Sequence, residues 1–469
     1  MDRLAIKKEL DEELDILGQQ PGLGIYTQLC LCFSVPYASS HATIIYKLTN
    51  GLERLAAGFP WVAGQVVNEG AGEANTGIFK IKPLEKIPRL VVKDLRGDSS
   101  LPTMDDLRRA DFPFSMLDES IIAPRRTIPG SPDEPTPDAS PVFLVQANFI
   151  TGGLVLTFVG NHGAMDMTGQ GQVIHLLAKA CRGEPFTNEE LASGNLARRD
   201  LVPLLDDSYE PGPELARQLV NPASFKPTEA NVDAPTKSTW AYFAFSATSL
   251  VDLKSQATKS LPTDAGAGYI STDDALSAFI WQRIAHARLP RLTSTTNTTL
   301  ARAVDPRRYL SIPPTYPGVI QNMAYTTSPL PELVSSPLGT VASHLRAAVD
   351  PKTSDLGHRT RALATLLSRS PDKNVASVTA TLDLSADLMV SSWAKEKCYE
   401  LDFGFELAGG GDGRPEAVRR PRFVPVESLI YLMPRRGDGE VVVGMCLRDV
   451  DLDGLRADGE FARYGKYVG

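Results

Sequence analysis

The sequence predicts an α/β protein in which helices cover mixed β-sheets, and three observations carry that prediction. Short apolar runs rich in β-branched and aromatic residues alternate with stretches of helical period in both halves of the chain. No repeat of fixed period is visible. The 469 residues, 42% hydrophobic and 22% charged, suffice for two large domains. The expected division is a first domain over residues 1–201, a crossover over 202–236 and a second domain over 237–469.

Residues 25–35 read as a strand, and residues 41–59 as a helix with Ile44, Ile45, Leu48, Leu52 and Leu55 on one stripe. An extended segment is expected over 61–67, a short helix over 101–110, and a proline-rich surface loop over 130–141. Residues 143–150 and 154–159 form two strand-like runs about the turn Thr151-Gly152-Gly153. Beyond Asp166 the period becomes helical, so a helix is expected from about Thr168.

Six prolines between Pro203 and Pro235 break any long helix and mark the crossover. The second half restarts with a strand over 239–245, and Ser246 is a candidate cap for a helix over 250–260. Ser271-Thr272-Asp273-Asp274 resembles a helix start before 275–288, with hydroxyl caps and early carboxylates. Further strands are expected at 298–304, 377–382, 388–393, 429–433 and 441–447, the last two joined by a turn at Gly437-Asp438-Gly439.

The formal net charge of -8 argues against a general nucleic-acid binder, which needs a basic surface to release counterions. The charged amino terminus has no apolar core of signal-peptide length, and no later stretch approaches a membrane span, so a cytoplasmic protein is expected. Cys30, Cys32, Cys181, Cys398 and Cys446 lie scattered in apolar runs, as reduced, buried thiols do.

Chemistry concentrates on residues 154–171, LVLTFVGNHGAMDMTGQG, where His162 stands at a strand end in the loop before a helix. Histidine suits general-base work because its proton equilibrium lies near neutrality. Asp166 could orient His162 directly or hold the loop by pairing with an arginine; spacing leaves both open. No second histidine or cysteine stands at ligand spacing, so no metal is expected. Neither a serine-nucleophile elbow nor a phosphate loop occurs, and Gly409 to Gly413 read as an insertion. The pairs Arg419-Arg420 and Arg435-Arg436 read as solvated surface.

A second motif lies far downstream: Asp402-Phe403-Gly404-Phe405 follows the strand-like Ser391-Ser392-Trp393. Together with His162-Gly163-Ala164-Met165-Asp166, and with Val304-Asp305-Pro306-Arg307 between them, it resembles the BAHD superfamily of CoA-dependent acyltransferases. Within that superfamily, Pro60 to Val66, Ser271 to Trp281, Ser391 to Lys395 and the ending Tyr467-Val468-Gly469 look like the trichothecene 3-O-acetyltransferases. Met167 in place of the usual glycine fits that group, whereas Phe405-Glu406 depart from the superfamily's Trp-Gly.

The resemblance implies two chloramphenicol-acetyltransferase-like domains with an active-site tunnel at their interface. It implies His162 as the base, and Asp166 turned away from the substrate to pair with Arg307. Asp402 and Gly404 would support the site from a distance, and Ser271, Thr272, Ser391 and Ser392 are candidates for contacts to the CoA arm. Acetyl-CoA would be the co-substrate, a trichothecene alcohol the acceptor and a monomer the working form, with no permanently bound cofactor. The rival readings are an acyltransferase for another alcohol or acyl donor, and a non-catalytic condensation-like binding domain. Condensation domains carry a second histidine where this chain has Asn161.

Overall fold

In the computed structural model, residues 10–35, 37–84, 89–130, 139–221, 237–263, 269–405 and 413–469 are described. Their strands form two large mixed sheets and one small one, with helices packed over them.

The five-stranded sheet runs Ala417–Arg419, Tyr26–Ser34, Gly153–Asn161, Phe143–Ile150, Leu90–Asp94. Its pairs are antiparallel except the last, which is parallel. The central strand Gly153–Asn161 is buried at every position, as a strand covered on both faces must be. Helices His41–Gly58 and Met167–Cys181 lie against each other. A Cβ on Gly51 would meet Cys181 Sγ at 2.3 Å, so the glycine sets their approach.

The seven-stranded sheet runs Asn322–Pro329, Asn297–Val304, Leu388–Ser392, Leu429–Leu432, Val441–Arg448, Ser238–Phe245, Gly465–Tyr467. Only Leu388–Ser392 is parallel to its neighbours. The helix Thr272–Arg288 is buried along most of its length in the core of this half, around Phe243, Phe279 and Phe461. Its start is a capping box between Ser271 and Asp274.

Three local expectations change. Residues 60–63 form a 3-10 turn before the strand Gln65–Glu69. Residues 377–382 are turns: they alternate like a strand but find no ladder, and the Ser377 hydroxyl accepts from the Thr379 amide instead. Arg419 and Arg420 are buried at 3% and 2% exposure rather than solvated. Within the expected crossover, residues 202–221 hold one 3-10 turn, Pro213–Leu215, while 222–236 lie outside the described residues. Most of the Gly409 to Gly413 insertion, with Glu406, also lies outside them, as do residues 131–138 of the proline-rich loop.

All five cysteines are buried free thiols. No helix among the described residues is long and apolar enough to cross a membrane.

Candidate active site

The loop between Gly153–Asn161 and Met167–Cys181 is closed from both ends. The last rung of the ladder is the His162 amide donating to Ile25 O at 2.8 Å. Asn161 shapes the turn that follows: its side-chain oxygen accepts from Gly163 N at 3.0 Å, and its carbonyl accepts from Ala164 N and Met165 N at 3.0 and 3.1 Å. Asp166 is the N-cap of the helix, its Oδ1 accepting from Gly169 N at 2.8 Å.

His162 Nδ1 lies 3.3 Å from Met165 O. A carbonyl only accepts, so Nδ1 carries the hydrogen and Nε2 keeps its lone pair. Burial, aided by the positive charge of Arg420, pulls the imidazole below its ordinary range and favours the neutral ring. That is the protonation state and tautomer a general base requires.

The Asp166 carboxylate points away from His162. Arg307 Nη2 donates to its two oxygens at 3.0 and 2.9 Å, and Ile320 N donates to Oδ2 at 2.8 Å. Burial raises this carboxyl to about 6, yet every neighbour bonded to it is an N–H donor, so near neutral pH the loop holds the ionised form. Arg307 also donates to Asp305, Tyr316 O and Gly318 O, which fixes residues 313–320 against the helix start.

A second clasp escaped the sequence reading. Arg198, 5% exposed, donates from Nη1 to Ala164 O and to Asp15 Oδ2, both at 2.8 Å. Asp15 in turn accepts from the Tyr316 hydroxyl and from Val319 N. Residues 15–20 lie so close to the loop that a Cβ on Gly18 would meet Gly163 O at 2.2 Å. Nothing local in the sequence announces this clasp, because its members, Asp15, Ala164, Arg198 and the Tyr316–Val319 stretch, come from four distant segments.

His162 lines a cavity of about 1030 Å³ at the junction of the two halves. Gln20, Leu23, Ile25 and Met167 contribute from the first half, Leu219 and Val220 from the crossover, and Met323, Ser391, Trp393, Arg420 and Tyr431 from the second. The space lies at the upper end of the range for small-molecule pockets, roughly 300–1,000 Å³, and its walls are mostly apolar.

Of the four hydroxyl candidates, Ser391 alone lines this cavity, its Oγ accepting from Trp393 Nε1 at 3.0 Å. Ser392 lines a smaller adjoining void with Asp166 and Glu396, and donates to Asp273 at 2.8 Å. Ser271 Oγ is occupied by the cap, donating to Asp274 Oδ2 at 2.7 Å and accepting from Arg346 at 2.8 Å. Thr272 follows it as the first residue of the helix, away from the cavity lining. Glu396 was also missed: burial, then the charge of Asp166, raises its carboxyl to about 7.

The second motif sits against the opposite end of the Met167–Cys181 helix. Asp402 O accepts from Arg182, and Asp402 Oδ1 accepts from Gly404 N at 2.7 Å. Gly404 has φ 66°, a left-handed conformation that glycine adopts without strain. Phe403 is fully buried, its ring 5.8 Å from Phe158 and 6.1 Å from Phe33. Phe403 thus packs this part of the second half onto the sheet that carries His162, while Asp402 and Gly404, near Arg182 at the end of the helix, do not line its cavity.

Among the described residues no group of acidic, histidine or cysteine side chains is arranged to hold a metal.

Comparison with known proteins places the geometry. Residues 25–181 match the trichothecene 3-O-acetyltransferase-like N-terminal domain, and residues 128–462 match the transferase family. An O-acetyltransferase of Cryptosporiopsis sp. is 57% identical, covering 99% of each chain. The trichothecene 3-O-acetyltransferase of Fusarium sporotrichioides is 51% identical over 98% of each. The crystal structure of that Fusarium enzyme with coenzyme A and T-2 superposes with a TM-score of 0.89 at 50% identity, covering 98% of this chain and all of the other.

Proposed function

The chain belongs to the transferase family and carries its trichothecene 3-O-acetyltransferase-like N-terminal domain, and from that premise we propose that it transfers an acetyl group from acetyl-CoA to the 3-hydroxyl of a trichothecene. The observation that carries the reading is His162 itself. Its Nδ1–H is committed to Met165 O, and its ring lines a large, mostly apolar cavity built by both halves.

His162 Nε2 takes the proton of the 3-hydroxyl as that oxygen attacks the thioester carbonyl of acetyl-CoA. The tetrahedral intermediate collapses with cleavage of the C–S bond, and the thiolate recovers the proton from the imidazolium. The acyl group passes directly, with no covalent enzyme intermediate. Asp166 is a positioning residue: bound to Arg307 and capping the helix, it fixes the loop on which His162 stands. Bringing two bound reactants together supplies the larger share of the acceleration.

The two acyltransferase domains span 1–201 and 237–469, with 202–236 crossing between them, and the Ala417–Arg419 strand is lent by the second to the first. Five reduced, buried cysteines support a cytoplasmic protein. A monomer is the working form that the family resemblance implies.

Incubation with acetyl-CoA and a trichothecene bearing a free 3-hydroxyl, followed by mass spectrometry, should show a product heavier by one acetyl group and a stoichiometric release of CoA. Acetylation of other alcohols but not of the trichothecene would move the assignment to a different acceptor, a reading that the 57% identical relative, named only as an O-acetyltransferase, keeps in view. Failure to bind acetyl-CoA in calorimetry would favour the condensation-like binding domain.

A further inference from the structure

Among the described residues seven arginines are buried, and six of them are paired with or lie near carboxylates. Arg198 meets Asp15, Arg288 meets Asp451, Arg302 and Arg346 share Asp274, Arg307 meets Asp166, and Arg419 lies near Asp111. Arg420, 2% exposed, makes no ion pair among the described residues. Its Nε has no hydrogen-bond partner, and its two other nitrogens reach only Gln28 O at 3.5 Å and Thr127 Oγ1 at 3.3 Å.

Burying a guanidinium with so few hydrogen bonds is costly, and the nearby Glu119 carboxylate, already bonded to Gln28 and Thr127, makes no ion pair with it. The fold nevertheless holds it firmly. The Arg420 backbone amide donates to the Tyr242 hydroxyl at 2.8 Å, and that hydroxyl donates to Arg420 O at 3.0 Å. The rings of Phe423, Tyr431 and Trp393 surround the guanidinium at 4.3, 4.8 and 5.7 Å. Arg420 is also the one cation among the described residues lining the His162 cavity. An apolar cavity fixes its ligand's orientation through a few placed polar groups, and a donor left unsatisfied until the ligand arrives discriminates most strongly.

We propose that Arg420 is a specificity residue, whose guanidinium donates to an acceptor oxygen of the alcohol substrate other than the hydroxyl that is acetylated. The inference rests on the acetyltransferase reading above. The acceptor is a carbonyl, ether or hydroxyl oxygen carried on a rigid, mostly apolar body, as the walls require.

The test compares wild type, R420K and R420M on a parent alcohol and on analogues from which single remote oxygens have been removed. For wild type, one analogue should lose about tenfold to a hundredfold in kcat/KM, the range for a hydrogen bond to a charged group. R420M should lose a similar factor on the parent alcohol through its KM, be indifferent to that analogue's missing oxygen, and keep the wild-type KM for acetyl-CoA. R420K should recover part of the loss. If R420M fails to fold, as judged by its thermal transition, the same coupling is read between R420K and the analogue series. Equal losses in kcat for every alcohol, or a loss confined to the KM of acetyl-CoA, overturn the proposal. So does a wild-type enzyme indifferent to every deletion. If wild type acetylates none of the alcohols, it is the acetyltransferase reading that has failed.

Discussion

Arg307 presents a single nitrogen, Nη2, to both oxygens of Asp166, at 3.0 and 2.9 Å, and its neighbouring Nη1 to Asp305 at 2.9 Å. The aspartate of the His-x-x-x-Asp motif is thereby committed to the second half of the chain and not to the histidine.

Replacing Asp166 with asparagine should therefore act on stability as well as rate. A buried cation that loses its partner typically costs about 3–5 kcal/mol, and the remaining bond to Asp305 places this case near the lower figure. Denaturant unfolding of D166N beside its kcat would check it. A catalytic loss with unchanged stability would instead return Asp166 to a relay with His162.

His162→Ala should leave the thermal transition in place and remove general-base assistance, worth about a hundredfold to ten-thousandfold in kcat. Release of CoA, followed with a thiol reagent, measures it. Near-normal turnover would remove His162 from the mechanism.

How much of this was legible beforehand differs by residue. The position of His162 followed from a strand-like run meeting a helical period, because both signals are local. The Asp166–Arg307 pair came only from resemblance, since spacing could not choose an arginine. Asp15, Arg198 and Glu396 gave no signal, their roles arising from segments that meet only on folding. Arg420 reads as solvent-exposed because charge is the usual mark of surface; of the rings that cover it, Phe423 is near in sequence, but Tyr431 and Trp393 come within reach only on folding. The strand expected at 377–382 had the right alternation but no partner, and sheet propensity without a ladder is not a strand.

The acid limb of kcat/KM should fall below pH 6.5, since His162 must be neutral and burial draws its pKa down from 6.5. The contribution of His162 to stability should decline over the same interval, opposed by the raised carboxyls of Glu396 and Asp166, which take up protons in the folded chain first. The unfolded chain takes up a proton at His162 near 6.5 and the folded chain only at lower pH, so acidification favours unfolding there. A rate profile between about pH 5 and 8 tests the first statement; an acid midpoint above 6.5 would contradict it.

Asp15→Asn should weaken the second clasp, leaving Arg198 buried without its counter-charge and loosening both Ala164 and the Tyr316–Val319 segment. We expect a loss of about 3 kcal/mol in stability together with reduced turnover. Wild-type unfolding and kinetics in D15N would show that the Arg307 clasp suffices alone.

Gly18→Ala tests the same contact sterically. The added methyl would meet the Gly163 carbonyl at 2.2 Å, and backbone on both sides must yield. The outcome expected is a lower kcat with acetyl-CoA binding retained, checked by calorimetry beside kinetics.

The strand Ala417–Arg419 finishes a sheet begun by Tyr26–Ser34, and the sulfhydryl of Cys30 reaches the carbonyl of Arg419 across 389 positions of chain. During synthesis the outer edge of the first sheet stays unpaired until almost the whole polypeptide has left the ribosome. The early half must wait, with an open ladder, for a piece of the late half. Maturation is then slow and exposed to aggregation, and a gene cut at the crossover would yield two fragments, of which the first lacks its own last strand.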